Sequence, residues 1–242
     1  MNIKDGVKLP AYKRGYEIFK NNGFCIIAMS IGNSYFNDEK IGELLPFADN
    51  HFSDLRILIA DISSIHTYKA IGYDEKTAKK KTKLAGNRLR NHCNRIIAKI
   101  SDNNIKFIDW EKEVINSKEY QKQLKIIKEL YDKHSDFKDH VHNEVKIRHE
   151  ICLQCFREDS RETTREVLQN KIKKSINIES AIEEGVKYLL EELAFLLAST
   201  NIFGVKNVAY LYHRNWPIYI NLIDGMYDGT IRNQLGFIET KD

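Results

Sequence analysis

The sequence predicts an α/β fold with about five strands, mostly parallel, and helices on both faces. Three observations carry this. Two apolar runs of strand length, Phe24–Met29 and Leu55–Ala60, lack the alternation of a half-solvated sheet and read as strands buried on both faces. Segments of helical period separate such runs, which favours parallel pairing. Of 242 residues, 42% are hydrophobic and 30% charged, which suits a soluble chain with a real core. No apolar run approaches the ~20 residues that span a bilayer. The start, MNIKDGVKLPAYKRGY, has no apolar signal core, so a cytoplasmic protein without a membrane partner is expected. With three prolines, no low-complexity linker and no repeat, one domain over 1–242 is expected.

Residues 11–22 read as a helix leading into the first strand, Phe24–Met29. A hydroxyl, Ser30, stands where that strand ends, and Gly32 follows. Asn37 or Asp38 caps a helix through Ile41, Leu44, Leu45 and Phe47. Leu55–Ala60 is the second strand, ending in Asp61. A long helix then runs from Glu75 to Ile100 on a stripe of Ala78, Thr82, Ala85, Leu89, Cys93, Ile96 and Ile100. Lys106–Trp110 is a third strand. Helices follow at Glu111–Tyr131, Asp136–Arg157 and Arg161–Lys174, and from Asn177 or Ser180 through Leu197. Asn207–Tyr212 is a fourth strand, with Pro217 breaking the chain beyond it. Gln234–Glu239 is a last strand.

Net charge is only +4, but it is unevenly spread. The long helix carries Lys76, Lys79, Lys80, Lys81, Lys83, Arg88, Arg90, Arg95 and Lys99 with almost no acids. One reading is a solvated face, the other a phosphate-binding surface.

Several chemistries are absent from the sequence. There is no GxxxxGK[ST] loop, no GxGxxG after a strand, and no GxSxG elbow around Ser30. The four cysteines are sparse, and reduced thiols are expected. Cys152 and Cys155 have CxxC spacing with His149 nearby, but no second pair completes a zinc site. His134, His140 and His142 read as solvated surface. Three constellations remain: Ser30 with Asn33, Tyr188 with Glu192 one helical turn apart, and Tyr212 with His213 at a strand end. Strand ends of open α/β sheets are where ligands bind. Each also has a plain structural reading, as a turn residue, surface decoration, or a buried phenol and imidazole.

Together, Ser30-Ile31-Gly32-Asn33-Ser34-Tyr35-Phe36, the Tyr188/Glu192 pair, Tyr212-His213 with Pro217, and the basic stretch Gly86–Asn91 resemble the tRNA-dependent cyclodipeptide synthases. Asn33, Tyr212 and His213 are similar to the NYH subfamily. The resemblance covers about residues 10–240. It implies a Rossmann-like domain similar to class I tyrosyl- and tryptophanyl-tRNA synthetase catalytic domains, without ATP, metal or other cofactor. It implies two aminoacyl-tRNA substrates and a ping-pong route to a 2,5-diketopiperazine. Ser30 matches the nucleophile, Tyr188 and Glu192 match residues that hold the amino group, and Tyr212 matches the residue of proton transfer. Asn33 and His213 match supporting residues. Ile26, Ala28, Leu58 and Phe195 resemble the lining of the first aminoacyl pocket, an apolar set that suggests Leu- or Phe-type products. Lys79, Lys80, Lys83, Arg88 and Arg90 would dock the tRNA acceptor arm through phosphates. One position departs from the family: where a glycine is usual, this chain has Ala28. A hydrolase or acyltransferase on the same scaffold, and a non-catalytic tRNA-binding module, are the alternatives.

Overall fold

The computed structural model describes residues 2–3, 9–100, 105–158 and 178–241, without the side chains of residues 2, 148–158, 178 and 241. The expected helix at Arg161–Lys174 lies outside the described residues, as do the side chains of His149, Cys152 and Cys155.

A six-stranded sheet has the order β1-β6-β5-β2-β3-β4. Its strands are β1 (Asn2–Ile3), β2 (Phe24–Met29), β3 (Asp54–Ile59), β4 (Ile105–Phe107), β5 (Val208–Tyr212) and β6 (Leu235–Lys241). The five strands β2 to β6 are mutually parallel, and only β1 runs antiparallel, against β6. The helices are α1 (Pro10–Lys20), α2 (Asp38–Asp49), α3 (Ser64–Ala70), α4 (Glu75–Ile97), α5 (Lys118–Lys133), α6 (Ser135–Glu158), α7 (Ile178–Phe203) and α8 (Pro217–Ile223).

β2 is central because all six of its residues are buried, as its unbroken apolar run requires. Asn37 starts α2 by accepting from the Lys40 amide at 2.9 Å. α1 lies unusually close to β6 because two glycines meet there. A Cβ on Gly236 would stand 2.3 Å from the Gly15 nitrogen, and one on Gly15 would stand 2.2 Å from the Phe237 oxygen.

Four readings of the sequence change. The strand expected at Lys106–Trp110 ends at Phe107, and Trp110–Ile115 is a turn of π-helix. The single helix expected over Glu111–Tyr131 is interrupted, because Ser117 caps a new helix by accepting from the Tyr120 amide. Pro217 does not end structure but opens α8, since the first turn of a helix has no use for the missing N–H. His140 and His142 of α6 are half-buried rather than solvated, His142 with Tyr131 at 2.7 Å and His140 against the Tyr227 hydroxyl.

The two faces of the sheet are covered differently. Phe24 stacks on Phe203 of α7 with ring centroids 5.3 Å apart, so the alternation of β2 turns Phe24, Ile26 and Ala28 towards α7. Met29 points the other way, its sulfur 3.6 Å from Cys93 of α4. α7 and the basic helix therefore sit on opposite faces.

Candidate functional site

Ser30 follows directly on β2 at the carboxyl edge of the sheet and is half-buried. The strand alternation carried one step further puts it in line with Ile26 and Ala28, on the α7 side. Gly32 has φ of 73°, a left-handed turn that lets the chain double back after Ser30. The Asn33 side-chain oxygen accepts from the Tyr35 amide at 3.0 Å, and the Asn33 carbonyl accepts from the Phe36 amide at 3.1 Å. Asn33 thus shapes the loop.

That loop is held against the end of β5. Tyr35 stacks on His213 with centroids 4.1 Å apart and planes 17° apart, and Phe36 meets His213 edge-on at 5.5 Å. Tyr212 lies against His213 at 4.4 Å. β5 pairs with β2 with Leu211 opposite Ile27. The next step places Tyr212 beside Ala28 on the same face. Two of the three constellations, far apart in sequence, meet here.

The third sits at a matching height. α7 runs down to Phe203 at the amino end of β2, where it meets Phe24. At 1.5 Å per residue, Glu192 stands about 16 Å above Phe203. At 3.3 Å per residue, Met29 stands about 16 Å above Phe24. Tyr188 is one turn higher. Both are buried, at 6% and 4% exposure, which removes the reading of them as surface decoration. The apolar four are all buried as well. Ala28 pairs directly with Leu58, Ile26 lies two residues before it on the same face, and Phe195 belongs to α7 and packs on Trp110 at 5.2 Å.

The basic helix reaches the same edge from the other face. A Cβ on Gly86 would stand 2.7 Å from Asp61, just past the end of β3, and Cys93 lies beside Met29. α4 therefore descends along β2 and β3 from Gly86 onward, and its first turns project beyond the carboxyl edge. Lys79 stands about 10 Å past Gly86 along the helix. Lys79, Lys80, Lys83 and Arg88 are exposed. Lys79 pairs with Glu75 at 2.5 Å. Arg90 is different: it is half-buried, 3.8 Å from Asp61 and over the Phe107 ring.

Two groups escaped the reading of the sequence. Glu239 is buried next to Tyr212 in the β5–β6 register and accepts from the Tyr12 hydroxyl at 3.1 Å. Burial, and then Glu239, push the Tyr12 phenol upward. The second is His66 of α3, which meets Glu184 and Glu191 of α7. A carboxylate ending the last strand and a histidine after the second are the only traces either left in the sequence.

An open groove of about 480 Å³ involves Phe24, Asp54 and Asn207. It lies at the amino ends of the strands, opposite the edge that holds Ser30. Among the described residues, no group of His, Cys, Asp and Glu is placed to hold a metal ion, and no helix is long and apolar enough to cross a membrane.

Comparison with known proteins agrees with this architecture. The family model for cyclodipeptide synthase matches residues 8–148 and 140–238. A cyclo(L-leucyl-L-leucyl) synthase of Staphylococcus haemolyticus is 23% identical over 226 residues, covering 92% of this chain and 88% of that protein. A Bacillus subtilis protein of the same name is also 23% identical, over 92% of this chain and 84% of its own length. A solved cyclodipeptide synthase structure from Bacillus thermoamylovorans superposes with a TM-score of 0.77 at 19% identity, covering 96% of this chain and 94% of that one. A Mycobacterium tuberculosis structure, described as showing that cyclodipeptide synthetases are related to type I tRNA synthetases, superposes at 0.72 with 14% identity over the full length of both chains. With the family model matched along nearly the whole chain, this protein belongs to the cyclodipeptide synthase family.

Proposed function

We propose that the chain joins the aminoacyl groups of two aminoacyl-tRNAs into a cyclic dipeptide through covalent intermediates on Ser30. The observation that carries this is the packing of the loop that follows Ser30, through Tyr35, on His213 beside Tyr212 at the carboxyl edge of adjacent parallel strands, above a buried apolar patch. An aminoacyl ester is already activated, so attack by the Ser30 hydroxyl needs no ATP. The Ser30 oxygen bonds to the carbonyl carbon, the tRNA ribose oxygen leaves with a proton, and an aminoacyl ester remains on the serine. The amine of the serine-bound residue, once it has given up its proton, then attacks the ester carbonyl of the second aminoacyl-tRNA, whose ribose oxygen leaves with a proton, and a dipeptide remains on Ser30. The dipeptide's free amine closes the ring and releases the serine. Retention on Ser30 makes the later steps local events between positioned groups.

Glu192 and Tyr188 hold the amino group of the first residue. An ammonium beside Glu192 offsets the cost of a buried carboxylate. Tyr212 handles the proton in cyclisation, and Asn33 and His213 keep the loop in place, as in an NYH-type synthase. Ile26, Ala28, Leu58 and Phe195 receive an apolar side chain, which favours Leu- or Phe-type products in keeping with the names of the relatives. Lys79, Lys80, Lys83 and Arg88 take the tRNA backbone where α4 overhangs the site. Arg90, engaged by Asp61, contributes more to holding α4. The whole of 1–242 acts as one cytoplasmic enzyme domain.

The test is expression in a bacterial host with mass spectrometry of the medium. Wild type releases at least one diketopiperazine, and Ser30→Ala releases none. Product from Ser30→Ala contradicts the covalent route. Free amino acid as the sole product favours the hydrolase reading.

A further inference from the structure

Glu184, Tyr188, Glu191 and Glu192 lie at spacings of four, seven and eight, on one face of α7. A single side chain from α3 spans that face. His66 Nδ1 meets Glu184 Oε2 at 2.5 Å, and His66 Nε2 meets Glu191 Oε1 at 3.5 Å. The turn that bears Tyr188 lies between the two contacts. Lys69 of α3 and Lys187 of α7 add bonds to Glu184 Oε1 at 3.0 and 2.9 Å. Glu75 of α4 lies within electrostatic reach of Glu184, Arg88 of α4 of Tyr68 of α3, and Tyr120 of α5 of Glu191.

We propose that His66, as the imidazolium, is a positioning residue that ties α3 to α7 and thereby fixes Tyr188 and Glu192 for the substrate's amino group. This rests on the reading of the site given above. The proton matters because a neutral imidazole has one N–H to donate, whereas the imidazolium has two and serves both carboxylates. A cation between Glu184 and Glu191 also relieves repulsion on a helix face that holds Glu192 as well. Burial works against this cation, but the bonds to Glu191 and Glu184 outweigh it and raise the His66 pKa above its ordinary 6.5. The clamp is complete below that range and loses one of its two bonds as pH rises through the raised value.

The experiment measures the single-turnover rate at which Ser30 is acylated by leucyl-tRNA, by quench and intact mass, against pH. It compares wild type, His66→Gln and His66→Arg. The substrate amine titrates identically in all three. Wild type shows an alkaline loss of rate with a midpoint above 6.5. His66→Gln keeps only the alkaline loss that the substrate amine gives, lacks the part that His66 adds, and is about tenfold slower at neutral pH, while the tRNA concentration for half-maximal rate stays put, since α4 is untouched. His66→Arg, a permanent cation with donors on two sides, recovers at least a third of the rate. A His66→Gln profile superimposable on wild type overturns the proposal, as does an Arg variant no faster than Gln. If His66→Gln fails to fold, Glu191→Gln removes one side of the clamp and must lose the same part of the alkaline loss. Wild type that never acylates overturns the parent reading and this one with it. Wild-type acylation with an unaltered His66→Gln profile overturns this one alone.

Discussion

Ala28 stands at the sheet edge just before Ser30, and its surroundings allow the effect of changing it to be worked out. The residue is 2% exposed, opposite Leu58 in the β2–β3 register and two residues before Ser30 on the face turned to α7. If that face receives the first side chain, the methyl sets the pocket's depth. Ala28→Gly frees the space of one methyl, and one methylene in an apolar pocket discriminates by about 1–3 kcal/mol. At the low end this is about a fivefold change in preference towards the larger of two substrates. Ala28→Val adds two carbons and shifts preference the opposite way by more. The fold pays for Ala28→Gly: about 0.8 kcal/mol for the lost methyl and 0.5–1 kcal/mol for a glycine within a strand. The assay supplies equal leucyl-tRNA and phenylalanyl-tRNA and measures the ratio of the two acyl adducts on Ser30. Ratios within twofold of wild type in both variants, with acylation intact, refute the placement of the pocket.

Two further outcomes follow from the charged groups. Burial raises the Glu184 carboxyl, but bonds from His66, Lys187 and Lys69 outweigh it and hold it down to about 2. Against an ordinary 4.5 this corresponds to about 3 kcal/mol, present above pH 4.5 and lost as pH falls towards 2. Urea unfolding against pH detects it as a fall in wild-type stability that Glu184→Gln does not share, and parallel curves for the two proteins contradict it. On α4, Lys80→Glu with Lys83→Glu weakens aminoacyl-tRNA binding and flattens its log–log salt dependence by about 1 or more. Equal affinity for wild type and variant across 50–200 mM salt, roughly the usual window for such a test, removes these two lysines from the docking surface.

The parts of the fold legible in sequence are those whose pattern is fixed by burial. β2 and β5 read directly because both faces are covered, leaving unbroken apolar runs, and β3 reads from its apolar residues Leu55 and Ile57–Ile59 although Arg56 stands among them. α4 reads because one stripe packs on the sheet while the rest is charged. α3 did not read. At seven residues it is too short for a helical period to register, and most of its residues are only half-buried. The break before α5 was hidden by polar residues that suit either a helix surface or a cap, and only Ser117 decides it. The site divides in the same way. Ser30, Asn33, Tyr212 and His213 belong to short sequence motifs, and the register of β2 with β5 brings them together. His66 and Glu239 belong to none. They are placed by tertiary packing, one through α7 and one through the pairing of β6, which no local pattern encodes.

The central claim is that Ser30 carries the growing product. Its most direct test is intact-protein mass spectrometry of the purified chain mixed with leucyl-tRNA and quenched within seconds. The account predicts a single leucyl adduct on the peptide containing Ser30, absent from Ser30→Ala, followed by a dipeptidyl adduct when more substrate is supplied. Diketopiperazine formed without any adduct, or an adduct that persists in Ser30→Ala, contradicts it.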